Sequence, residues 1–274
     1  TYNAFQVELR RRLSNHLLVQ ANYTFSKALT DTEGSQSDIE SPRTLRDLAL
    51  DKHIANFSQT HRFVANFIYE LPFGPGRRFL ASSPRPVSKI IEGWQVQGIW
   101  NWQSGLPFTI VSNRSTLNDK NPSENPAELL SPSAFNTIKN NIGVFRTPDG
   151  VFFINPNLLV ITHNPNGTIS VAFKPGLVGS PAPGQLGNFP RNGLNGPHFF
   201  DLDMSLIKRT RIKERLTLEF RAEFFNVLNN PNFILPSLQG LGSQLLTFDD
   251  PGMGRIVNSQ GNARVGQLAL KLTF

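Results

Sequence analysis

The residues of this chain that could do chemistry are few and poorly placed for it. His198, Asp201 and Asp203 fall within the run HFFDLD, and a histidine with two carboxylates is a set that can hold a divalent metal. Their spacing along an extended run is weak for a ligand set, and the two acids read better as one charged face of a strand. Phe73 to Arg78, FGPGRR, is glycine-rich and basic, as phosphate-cradling loops are, but no helix signal follows it to supply an anion-binding N-terminus. It reads as a turn. Ser, His and Asp are all present, yet there is no Gly-x-Ser-x-Gly elbow to link nucleophile to base. With no cysteine, thiolate nucleophiles, disulfides and Cys-based metal sites are excluded together. No catalytic, metal-binding or cofactor-binding residue is assigned, and the protein is not expected to be an enzyme.

Charge offers no ligand either. The net charge of +7 comes from basic residues scattered in short groups such as Arg10-Arg11-Arg12, Arg77-Arg78 and Lys208-Arg209. They form no stripe interleaved with aromatics, so nucleic-acid binding is not expected. No window approaches the ~18–20 consecutive apolar residues of a membrane-spanning helix. The chain begins at Thr1 without an initiator Met, which reads as a piece of a longer or processed product.

The elements that must position these residues are strands. Twenty-one Gly, 20 Pro and 22 Phe beside two Met make the chain β-rich and turn-rich. At the C-terminus Leu268, Leu270, Leu272 and Phe274 alternate with Gln267, Ala269, Lys271 and Thr273, placing the apolar set on one strand face. The pattern recurs upstream in Leu216 to Phe224, Phe200 to Leu206, Trp94 to Trp102, Phe63 to Leu71, Val19 to Phe25 and Phe5 to Leu13. About seven strands of roughly 9–13 residues result, a length that suits a tilted membrane-spanning strand and exceeds the soluble mode of about 5–6.

Connector lengths alternate as well. Long connectors fall at about 228–261, 105–196 and 29–60, and short ones at 209–214 and 14–17. The third connector on the short side, 72–92, is unexpectedly long. The expected fold is an all-β, antiparallel up-and-down transmembrane barrel wall with short periplasmic turns and long extracellular loops. Within the 105–196 loop, Asn164-Pro165-Asn166-Gly167 separates two apolar runs and predicts a hairpin. If this part of the protein contacts a ligand, that loop is the leading place for it.

Aromatic and charged residues fit the same frame. Trp94 and Trp102 are separated by roughly 26 Å along one face at ~3.3 Å per residue, close to an apolar band of ~25 Å. Together with Tyr23, Phe25, Tyr69 and Trp100 they are expected to form interfacial girdles. On the opposite faces Asp201, Asp203, Glu219, Arg221 and Glu223 are expected to form a charge ladder in a wet lumen. A tight turn at 209–214 would bring Arg221 opposite or diagonal to the two aspartates.

Several stretches then resemble one family. YNAFQVELRRRLSNHLLVQANYTFSKALTD, HRFVANFIYELPFGPGRRF with GWQVQGIWNWQSGLPFTI, GNFPRNGLNGPHFFDLDMSLIKRTRI, ERLTLEFRAEFFNVLNNPNF and RVGQLALKLTF resemble the C-terminal barrel of TonB-dependent outer-membrane receptors, the Oar-like group in particular. They cover well over half of the chain. The resemblance implies a plugged barrel of about 22 strands, with this chain supplying about the last third and the plug and TonB-contacting box missing. It implies location in the bacterial outer membrane, and partners that are membrane lipid, the barrel-assembly machinery, TonB through the missing N-terminal part, and an unknown solute. It further implies that Phe274, with Leu272, Leu270 and Leu268, carries the assembly signal.

The alternatives are a soluble secreted β-sandwich or carbohydrate-binding module and, more remotely, an outer-membrane hydrolase. In the full-length protein Phe274→Ala is predicted to reduce membrane assembly. Surface levels of variant and wild type measure it, and equal levels would count against an assembly role for this ending.

Overall fold

A computed structural model describes residues 1–14, 16–31, 34–35, 38–39, 47–112, 114–116, 125–213, 216–234, 245–261 and 263–274. Seven long strands dominate it: β1 (Tyr2–Ser14), β2 (Leu17–Thr30), β3 (His61–Glu70), β4 (Trp94–Gln103), β5 (Phe199–Lys213), β6 (Leu216–Phe225) and β7 (Val265–Thr273). Each pairs antiparallel with its neighbour in sequence, so the sheet is an up-and-down wall in the order β1 to β7. Because side chains alternate across a strand, the register sets the composition of each face. One rank of paired residues is Val7, Tyr23, Phe63, Trp102 and Phe200. The next rank on that face is Leu9, Ala21, Ala65, Trp100 and Leu202. The other face carries Gln6, Thr24, Arg62 and Gln103, then Glu8, Asn22, Val64, Asn101 and Asp201.

The turn expected over 209–214 is shorter than the sequence suggests. Thr210-Arg211-Ile212-Lys213 stays extended, with Lys213 paired to Leu216 of β6; residues 214–215 lie outside the described residues. Near the β1–β2 hairpin, at the same rim, the ladder is irregular between Arg11 and Ser14, and Arg11 pairs with Val19 on the apolar face. So close to the turn, a long side chain can reach the rim and keep its charge in water. The side chain of Leu13 lies outside the described residues, as do parts of the connectors expected at 29–60 and 228–261.

At the other end the two long connectors that follow β4 and β6 fold into a cap. Its centre is the strand Pro107–Val111, which pairs antiparallel with Leu194–Asn195 and parallel with Leu245–Thr247. The hairpin of Ile142–Thr147 and Gly150–Ile154 adds Arg255–Ile256 at its edge. The expected second hairpin forms between Leu159–His163 and Ile169–Phe173, its turn closed by Asn164 N–H donating to Thr168 O at 2.8 Å. These pieces bury Phe108, Ile110, Ile138, Phe152, Ile154 and Met253 in one core. Asn192 ties the cap to the connector after β2. Its side-chain amide donates to Ile54 O at 2.6 Å and Asn56 Oδ1 at 2.8 Å, while its backbone N–H donates to Thr109 Oγ1 at 2.8 Å.

The cap leaves and re-enters the wall through a close backbone approach. Gly196 N–H donates to Leu106 O at 2.8 Å, and a Cβ on Gly105 would lie 1.9 Å from Gly196 O. Only glycine fits there. A short helix, α1 (Arg85–Ile91), stands in the long connector between β3 and β4 at the opposite rim.

Because the cap has its own core, Phe152→Ala is predicted to cost about 3–5 kcal/mol there while leaving the wall paired. Hydrogen exchange reads this directly: faster exchange in Phe108–Val111 with unchanged protection in β2 and β3.

Candidate functional site

The polar face of the wall carries a hydrogen-bonded network across four strands. It is centred on Glu219, whose carboxylate accepts from Arg209 Nε and from Arg221 Nη2, each at 2.7 Å. Arg209 also donates to Gln95 Oε1 on β4 at 3.3 Å. Arg221 lies 3.5 Å from Glu223, which in turn accepts from Gln267 of β7. Charge is thereby paired residue by residue, and Glu219, the least exposed member, has a guanidinium on each oxygen. Across β1 and β2, Gln20 donates to Glu8 at 3.1 Å. At the short-turn rim Arg77 Nη2 donates to Glu70 Oε2 at 3.1 Å, and its guanidinium lies against His16.

The aspartates do not join this network, which corrects the expected cross-strand partnership of Arg221 with Asp201 and Asp203. With Lys213 still paired to Leu216, Arg221 faces Ile207 instead, and Asp201 faces Asn101. Asp203 has another task. Its Oδ1 accepts from Asn226 N–H at 2.9 Å, where β6 ends. There Asn226 Oδ1 accepts from Asn230 N–H at 2.9 Å and Asn226 Nδ2 donates to Asn230 O at 3.0 Å. Asn226 and Asn229 both hold positive φ, a conformation asparagine tolerates better than most residues. NVLNN is therefore a turn built by side-chain amides. The density of Asn after an alternating strand was the available signal.

The aromatic residues divide between the two ends of the apolar face. Tyr23, Phe25 and Trp102 gather around His61, with ring centroids 5.2–6.2 Å apart and the Tyr23 hydroxyl 2.8 Å from His61 Nδ1. Trp100 packs edge-on between Phe63 and Phe200. His61 stands in an apolar rank beside Phe25, a place for which a histidine carries no local sequence signal. Tyr69 and Trp94 lie toward the short-turn rim, Tyr69 ranked with Leu17 and Val96, and Trp94 facing Lys208. On β7, Leu268, Leu270 and Leu272 face Ala222, Phe220 and Leu218, and Phe274 follows the strand.

This apolar face is uncovered. Leu268 and Leu270 are 72% and 70% exposed, Phe274 is 92% exposed, and Phe5, Val7, Leu9 and Phe25 are also exposed. Monomeric soluble proteins rarely expose a contiguous apolar surface of this kind, which marks a membrane or protein contact. A soluble sandwich would hide it under a second sheet and would not line the other face with ion pairs. Among the described residues no group of three or more His, Cys, Asp or Glu could hold a metal ion. Among those residues no helix is long and apolar enough to cross a membrane.

Long antiparallel neighbours, lipid-compatible outside and charged inside, with short turns at one rim and long loops at the other, define a transmembrane β-barrel protein. The chain belongs to the outer membrane beta-barrel domain family, which matches residues 1–267, and its place is the bacterial outer membrane. No curated protein and no solved structure matches it.

The network predicts an order of sensitivity. Glu219→Gln removes the negative charge between two arginines and turns one acceptor oxygen into a donor, and Glu223→Gln weakens one longer contact. The first is expected to destabilise the wall by about 1–2 kcal/mol, toward the low end for charged hydrogen bonds because the arginines are half-exposed. The second is expected to cost less. Denaturant unfolding in detergent micelles measures both.

Proposed function

We propose that this wall belongs to a TonB-dependent transporter that takes up a large or scarce solute, with energy supplied from the inner membrane. The observation that carries the reading is the Gln95–Arg209–Glu219–Arg221–Glu223–Gln267 network. A lumen filled by a folded plug offers these groups to another protein surface, and pairing within the wall keeps each one satisfied meanwhile. The resemblance of the quoted strand sequences to Oar-like receptors points the same way. In this reading the wall residues are structural, the plug and the TonB contact lie outside this chain, and no residue here forms a covalent intermediate.

The cap is the second support. Loops with their own hydrophobic core present a fixed surface to the medium, which favours capture of a solute by a preformed site over a mobile shield. A surface-assembly or secretion role for the same architecture shares every feature of the wall and differs in the direction of traffic.

Whole-cell uptake separates these readings. A strain lacking the intact protein is expected to lose accumulation of at least one member of a panel of ferric siderophores, cobalamin and oligosaccharides. The same loss is expected on removing TonB or collapsing the proton gradient, with outer-membrane levels of the protein unchanged. Uptake that persists without TonB would overturn the transporter proposal.

A further inference from the structure

The connector between β3 and β4 is far longer than the turns beside it, and it is not built as a solvated loop. Gly74 N–H donates to Phe79 O and Phe79 N–H to Pro72 O, both at 3.0 Å, so FGPGRR is a closed turn. Arg77 fastens it to Glu70 at the rim. Beyond it α1 is inside out for an aqueous helix. Its buried residue is Ser88, whose hydroxyl donates to Ser83 O at 2.9 Å. Val87 and Ile90, three apart and on one side, are 44% and 68% exposed, and Phe79 and Leu80 are exposed beside them. Leu80 holds φ +58, a costly backbone for a leucine.

Charge and position complete the pattern. Between Leu71 and Gly93 there are four basic residues, Arg77, Arg78, Arg85 and Lys89, and one acid, Glu92. The helix is joined to the apolar face of the wall. Trp94 Nε1 donates to Ile90 O at 2.8 Å, and Lys208 Nζ donates to Lys89 O at 2.8 Å and to Glu92 O, its ammonium 5.6 Å above the Trp94 ring. Both side chains leave the lipid side of β4 and β5 to reach it. Lys89 Nζ in turn donates to Arg211 O at 2.6 Å. At Gly93, φ is +73 and a Cβ would lie 2.2 Å from Arg209 O, so the segment is pressed onto β5.

We infer that residues 73–91 are an interfacial anchor seated on the anionic phospholipid headgroups of the periplasmic leaflet. Val87, Ile90, Phe79 and Leu80 enter the acyl boundary, and Arg78, Arg85 and Lys89 meet the phosphates. An amphipathic segment with apolar residues on one side and basic residues around them lies in this plane of a bilayer. Here it does so in continuity with the lipid-facing wall. The inference rests on membership in the outer-membrane barrel family and is independent of what the protein transports.

These 274 residues hold no cysteine, which simplifies the test. With any cysteine elsewhere in the intact protein replaced by serine, Ile90→Cys gives a single site for an environment-sensitive fluorophore, and Phe57→Cys, 73% exposed in the connector after β2, gives a water-facing reference. In nanodiscs of phosphatidylcholine and phosphatidylglycerol, open to solvent on both faces, the Ile90 label is expected to emit to the blue. It should be quenched by headgroup-depth spin-labelled lipid and shielded from iodide, with the Phe57 label behaving oppositely. Heat-modifiable mobility on gels establishes that each variant is folded. Neutralising Arg85 and Lys89 to Gln is expected to lower the ratio of inserted to free anchor by about fivefold per charge, as is replacing phosphatidylglycerol by phosphatidylcholine in direction. Iodide access at Ile90 equal to that at Phe57 in the folded protein would overturn the anchor. Insertion indifferent to both charge changes would overturn the anionic headgroup as its partner.

Discussion

Inside a bilayer a backbone amide or carbonyl has no water to turn to, and everything in this molecule follows from how the chain meets that constraint. Each strand from β2 to β6 pairs on both sides with neighbours that run the other way. The ladders then force side chains into alternate faces, and the two solvents of the wall, hydrocarbon and lumen, sort the residue types. The apolar face needs no partner inside the protein. The polar face does, because acids and arginines close to a low-dielectric wall are costly when unpaired. Glu219 between Arg209 and Arg221 answers that second requirement.

Where the bilayer ends, the rules change, and so does the architecture. At one rim the reversals are tight and the remaining connector is folded back against β4 and β5. At the other the chain returns to the logic of soluble proteins: short strands, a closed apolar core around Phe152, and buried polar groups such as Asn192 with their hydrogen bonds met. One chain therefore holds two kinds of stability. The wall is fixed by backbone pairing and its lipid surroundings, and the cap by burial of side chains away from water.

How much of this could be read from the sequence depends on whether the determinant is local. The seven wall strands are legible because period-two alternation sustained over nine or more residues is a strong local pattern. Its failure at Arg209 to Lys213 has a physical reason. Near the rim no hydrocarbon demands an apolar residue, so Thr210-Arg211-Ile212-Lys213 resembles a turn while remaining strand. That displaced reversal separated Arg221 from the aspartates. The cap is illegible for the opposite reason. Apart from the hairpin at Asn164–Thr168, its strands are two to six residues long and interrupted by Pro, Gly and Asn. The parallel pairing of Pro107–Val111 with Leu245–Thr247 joins segments with no local signal of each other.

That parallel pairing also sets an order of events. Residues 107–111 and 245–247 sit on connectors separated by β5 and β6, so the cap's central sheet cannot close until both connectors have crossed the membrane and the strands between them are in place. Contacts so distant along the chain are late to form, since the loop between them must first be closed. The cap is thus a record of completed insertion: its core exists only on a wall already threaded through the bilayer.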